Sequence, residues 1–128
     1  MQKQVCLYDL VNQKIEFDGE AEIEFLSADS WIVTMKNDEI ETTWKILKKG
    51  VVIENHGEAD VIVTLYEKGS GIVRIFSPYG ELRLPLEATS IEKNTLDDVL
   101  EICVRYVIGQ EDLMQPFGFA LRMAPINL

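Results

Sequence analysis

Hydrophobic and polar residues alternate with a period of two in short runs along the chain, the pattern of an antiparallel sheet with one buried face. The clearest run is Glu20-Ala21-Glu22-Ile23-Glu24-Phe25. Its parity sets Ala21, Ile23 and Phe25 against a core and leaves three glutamates in water. Further runs predict strands at Val5–Val11, Trp31–Met35, Thr42–Leu47, Val51–Asn55, Asp60–Tyr66, Ile72–Phe76, Glu81–Thr89, Val99–Ile108 and Phe117–Met123.

Between these runs lie Lys36-Asn37-Asp38-Glu39, Lys48-Lys49-Gly50, Asn55-His56-Gly57-Glu58, Glu67-Lys68-Gly69-Ser70-Gly71 and Ser77-Pro78-Tyr79-Gly80. Each holds the Gly, Asn, Asp or Pro that tight turns require. Connections this short make sequence neighbours pair in space, which gives an up-and-down meander. A twisted meander of this length protects its edges by closing on itself. The expected fold is therefore all-β, an antiparallel up-and-down barrel of about eight to ten strands. One stretch departs from the pattern. In Asn94-Thr95-Leu96-Asp97-Asp98-Val99, Thr95 and Asp98 are spaced like a capping box, which predicts a short helix near residues 95–99. Beyond it, Leu100, Ile102, Val104, Tyr106 and Ile108 alternate strictly and return the chain to a strand.

Residues 1–128 suit a single β-barrel domain with a real core. With 47% hydrophobic and 27% charged residues, the composition is that of an ordinary globular protein. Acids outnumber bases by 22 to 12, for a net charge of −10, which repels phosphate backbones and anionic lipid alike. No nucleic-acid and no membrane partner is expected. The N-terminal residues carry no apolar stretch of signal-peptide length, so a cytoplasmic location is expected. Cys6 and Cys103 sit among apolar neighbours as small hydrophobes kept reduced in that compartment. A disulfide between them stays open on counting alone.

Catalytic and metal chemistry find little support. His56, the single histidine, lies in a turn, and no Gly-x-Ser-x-Gly is present, so a nucleophilic triad is not expected. Cysteine and histidine spacings fit no zinc site, and the Glu20, Glu22 and Glu24 face lacks the pattern of a calcium loop. No cofactor or metal is expected. Gly69-Ser70-Gly71 leads into a strand and is a hairpin turn. Of the four arginines, Arg83, Arg105 and Arg122 fall on outer faces beside glutamates, whereas both faces around Arg74 are apolar. Trp44 and Tyr106 share faces with apolar residues and point inward.

Several stretches resemble the YwiB-like bacterial proteins: Glu41-Thr42-Thr43-Trp44-Lys45-Ile46, Asn55-His56-Gly57, Phe76-Ser77-Pro78-Tyr79-Gly80-Glu81-Leu82, and Val104-Arg105-Tyr106. That family consists of calycin-like barrels, a domain of unknown function found chiefly in Gram-positive bacteria. The resemblance implies a closed, lipocalin-like barrel in the cytoplasm and carries no catalytic residues over. The Gly-x-Trp signature of secreted lipocalins is absent, Trp31 following Asp29-Ser30.

A barrel of this size is just wide enough to hold a small ligand. The leading expectation is non-enzymatic binding of a small apolar or amphipathic molecule in the barrel interior. Trp44, Arg74, Tyr79 and Tyr106 are the candidate contacts. The alternative is a protein-interaction module, such as a homodimer, with a filled barrel, since Asp60–Tyr66 and Val99–Ile108 are apolar on both faces. Acid/base catalysis by carboxylates and tyrosines that converge only in space is the third reading.

Overall fold

The computed structural model describes residues 1–110 and 113–124. Ten strands follow one another along these residues: β1 (Gln2–Asp9), β2 (Lys14–Ser27), β3 (Ser30–Lys36), β4 (Glu41–Leu47), β5 (Gly50–His56), β6 (Asp60–Tyr66), β7 (Gly71–Ser77), β8 (Gly80–Leu96), β9 (Val99–Gln110) and β10 (Leu113–Met123). Each pairs antiparallel with its neighbours in sequence, and β10 returns to β1 to close the barrel. Closure is set by an unbroken register in which Val5 opposes Met123 and Leu7 opposes Leu121.

The strands alternate as the pattern requires. On β2, Ala21 and Ile23 are buried and Glu20, Glu22 and Glu24 are exposed. Phe25 departs from expectation: it is 49% exposed, because the barrel ends at its level and the β2–β3 register slips between Phe25 and Ser27. Apart from a small recess of about 100 Å³ beside Ile23, Trp31, Leu100 and Met123, the interior at this end is packed, with Val5, Ile46, Val51, Leu65, Ile102 and Leu121 sealed from solvent. Two glycines allow the strands to close there. A methyl group on Gly50 would stand 2.4 Å from the Leu65 carbonyl oxygen, and one on Gly71 would stand 2.4 Å from that of Thr64. At these two positions the approach to β6 is too tight for a side chain.

The short helix expected near residues 95–99 does not form. Residues 90–96 continue β8, and Asp97 and Asp98 make a two-residue turn with Leu96 opposite Val99. Both aspartates have positive φ, 52° and 65°, as a type I′ hairpin turn demands. Aspartate tolerates that region because its short polar side chain bonds locally. The same property makes a helix cap, so Thr95 and Asp98 fit both patterns.

Candidate functional site

The end of the barrel opposite the solid half is open. Strands β1, β3, β5, β7 and β9 finish here and β2, β4, β6, β8 and β10 begin here, so its lining comes from all round the ring. Inside lies an apolar compartment of about 240 Å³, walled by Trp44, Val63, Val73, Ile75, Tyr106 and Phe117 among others. Above it is a vestibule, also about 240 Å³, to which Asp9, Asn12, Glu16, Asn37, Thr42 and Asn55 contribute. The two spaces share Leu7, Thr42, Asn55, Phe117 and Phe119 and form one continuous recess.

Register explains how each wall is placed. Tyr106 and Phe117 are direct partners across β9 and β10, and their rings stack with centroids 5.3 Å apart and planes 15° from parallel. Thr42 and Asn55 are inward-facing partners across β4 and β5, and the Thr42 hydroxyl donates to the Asn55 side-chain oxygen at 2.8 Å. The Asn55 amide nitrogen is a donor on the same wall. Glu16 reaches the vestibule through a bulge: Leu7 opposes Phe17 and Tyr8 opposes Ile15, which leaves Glu16 as the extra residue.

Asp9 continues the inward face of Val5 and Leu7, and only 6% of it is exposed. Its Oδ1 accepts from the backbone N–H groups of Val11 and Asn12, each at 3.0 Å, and its Oδ2 accepts from the Asn12 amide at 2.8 Å. Burial pushes the carboxyl pKa up, but the hydrogen bonds from Asn12 and Val11, with the charge of Lys14, outweigh it and hold the group below its ordinary value. Tyr106 moves the other way, since burial and then the negative charge of Asp9 drive its phenol well above the usual range.

Of the four candidate contacts, the structure brings Trp44 and Tyr106 together on the inner wall. Arg74 and Tyr79 lie elsewhere. Val73 and Ile75 take the inward positions of β7, so Arg74 points out, opposite Ile62 and Arg83, with its guanidinium 5.5 Å from the Phe76 ring centre. Tyr79 is 99% exposed at the tip of the β7–β8 turn, where its N–H donates to the Ser77 hydroxyl at 3.2 Å. A two-residue turn projects beyond the strand ends, and its side chain cannot turn back into the barrel. Asp9, Thr42 and Asn55 were missed by sequence reasoning. Their parity was the available signal, since each lies two residues from an inward apolar residue.

Outside the barrel, Arg122 is hydrogen-bonded to Glu101 across β10 and β9, and Arg83 donates to Glu81 at 2.9 Å along its own strand. His56 ends β5 and lies 3.2 Å from Asp60 and 3.5 Å from Glu54, which also accepts from Lys45 at 3.0 Å. Cys6 and Cys103 are both free thiols on the outer face. Strand β10 separates their strands, and burial raises both pKa values.

Fold and recess define a closed antiparallel barrel, ten strands in single file, with a pocket at one end. A solved structure shares this architecture: the YwiB protein from Bacillus subtilis, matched with a TM-score of 0.60 over 98% of this chain and 89% of that one. The two sequences are 16% identical, so the similarity is one of fold. By sequence, no protein-family model and no curated protein matches the chain.

Proposed function

We propose that this protein binds a small, partly apolar molecule at the open end of its barrel and catalyses no reaction. The observation that carries the reading is the graded recess, an aromatic and aliphatic compartment beneath a polar vestibule. Ligand sites are commonly built this way, with apolar walls supplying affinity and a few polar groups fixing orientation. The charge states of its titratable groups support binding over catalysis. Asp9 is held low and Tyr106 high, so neither is poised near neutrality to exchange a proton.

The test uses the neutral fluorescent probe N-phenyl-1-naphthylamine. Saturable enhancement at one probe per chain is expected, and Ile75→Trp, which places an indole in the compartment, should abolish it. Absence of saturable binding to the unaltered protein would remove the reading.

Self-association is the second reading, favoured by a shallow groove over the outer faces of β9, β10, β1 and β2, where Tyr8, Ile15, Cys103 and Ala120 contribute to a space of about 390 Å³. Ile15 is 59% exposed there. If two copies meet on this groove, sedimentation velocity finds a dimer that Ile15→Glu dissociates. A monomer at all concentrations ends this alternative.

A further inference from the structure

The recess has a polarity of charge as well as of hydropathy. Its vestibule contains two carboxylates, Asp9 and Glu16, and neither lysine nor arginine among the residues that line it. The described connections at this end, residues 10–13, 37–40, 57–59 and 78–79, carry Asp38, Glu39 and Glu58 and no basic residue. The turns of the packed end are mixed in sign: residues 28–29, 48–49, 67–70 and 97–98 carry Lys48, Lys49 and Lys68 together with Asp29, Glu67, Asp97 and Asp98. The open end is therefore acidic in its lining and its described connections, with Lys14 and Lys36 at the ends of the flanking strands.

Asp9 gives that charge a fixed address. Its hydrogen bonds from Asn12 and Val11 hold the carboxylate in place without neutralising it, and no ion pair to it forms among the described residues. Lys14 pairs with Glu16 at 3.4 Å, but its side chain is 62% exposed and it lines neither space, so Asp9 is the fixed carboxylate of the vestibule and Glu16 the outer, paired one. A buried carboxylate beside a cavity acts through a lower effective dielectric than a surface one and discriminates charge more strongly.

Resting on the pocket reading above, we infer that the occupant is a cationic amphiphile, an amine whose apolar body fills the compartment beneath Phe117 and whose ammonium group stands in the vestibule beside Asp9 and Glu16. A fatty acid or other carboxylate of the same shape would bring its charge to the same place and be repelled. The donors offered to it there, the Asn12, Asn37 and Asn55 amides and the Thr42 hydroxyl, are all neutral.

Three ligands with one body separate the possibilities: 3-phenylpropylamine, 3-phenylpropanol and 4-phenylbutyrate, titrated calorimetrically into the unaltered protein at neutral pH and low salt. The amine should bind at least about tenfold more tightly than the alcohol, and the carboxylate more weakly than either. Raising the salt should narrow the gap. Glu16→Gln should weaken the amine by roughly threefold and leave the alcohol unchanged, and Asp9→Asn should do so more strongly. Because Asp9 also organises its turn, the exposed Glu16 serves as the variant that folding cannot confound. Ile75→Trp should remove all three ligands. Equal binding of amine and alcohol, or tightest binding of the carboxylate, overturns the charge assignment and leaves the pocket standing. Failure of all three, together with the naphthylamine probe, overturns both.

Discussion

Asp9 joins folding and recognition in one side chain. Its three accepted hydrogen bonds close the β1–β2 turn, and the same carboxylate faces the vestibule. Asp9→Ala should destabilise the fold by about 1 kcal/mol in urea unfolding, because the part-buried N–H groups of Val11 and Asn12 lose their acceptor. The pH dependence has a definite sign. Glu54, like Asp9, is held below its ordinary value, burial being outweighed by Lys45 and His56, so the unfolded chain binds protons to both groups more readily. Their stabilisation is complete above the unfolded carboxylate values of about 4 and is lost as pH falls through the folded ones. The unfolding midpoint should drop below about pH 4, and the drop should be shallower in Asp9→Asn. Alternation in the sequence already put Asp9 on the inward face. It did not disclose a buried charge, because the same rule assigns polar residues to water, and Asp9 stays inside only through partners from its own turn.

The strands themselves, more than their boundaries, were legible where the two faces differ. Each of the ten runs falls on its own strand, although Leu10 and Val11 of the first lie in the β1–β2 turn and β2 and β8 extend well past their runs, and β2 buries Ala21 and Ile23 as the alternation requires. Ambiguity entered where chemistry serves two purposes. Asp97-Asp98 suits a helix start and a type I′ turn equally in one dimension, and only the partnering of Leu96 with Val99 decides. Asp98→Gly should stabilise the protein by about 0.5–1 kcal/mol, since glycine adopts positive φ without the penalty aspartate incurs. Differential scanning calorimetry would register this as a higher melting temperature. The opposite is expected at Gly71. A methyl group there meets the Thr64 carbonyl oxygen on a neighbouring strand, so Gly71→Ala should cost about 3 kcal/mol or more, measurable as a lowered denaturant midpoint.

At the scale of the whole molecule, the barrel is packed at one end and hollow at the other. Leu65→Ala in the packed half should cost about 3–5 kcal/mol, and Ile75→Ala on the pocket wall distinctly less, since Ile75 already borders space and has fewer contacts to lose. Chemical denaturation of the two variants side by side makes the comparison. This division is what the sequence could not express. Period-two alternation says which way a side chain points, and Trp44, Ile46 and Tyr106 all point inward by the same rule. Whether inward residues meet or leave a gap depends on barrel diameter and on layers contributed by distant strands, and neither is local in the chain.

The seam between β1 and β10 is made of the same antiparallel pairing as every hairpin in the ring, and the Ala124 N–H donates across it to the Gln4 carbonyl at 3.0 Å. Architecturally, the barrel thus has no privileged first strand. The polypeptide could be rejoined across the seam and cut at a turn of the packed end, and the same ten neighbours would still surround the same recess. Genetic order and spatial order are separable in this molecule, and new termini could be moved around the ring to carry attachments without touching the mouth.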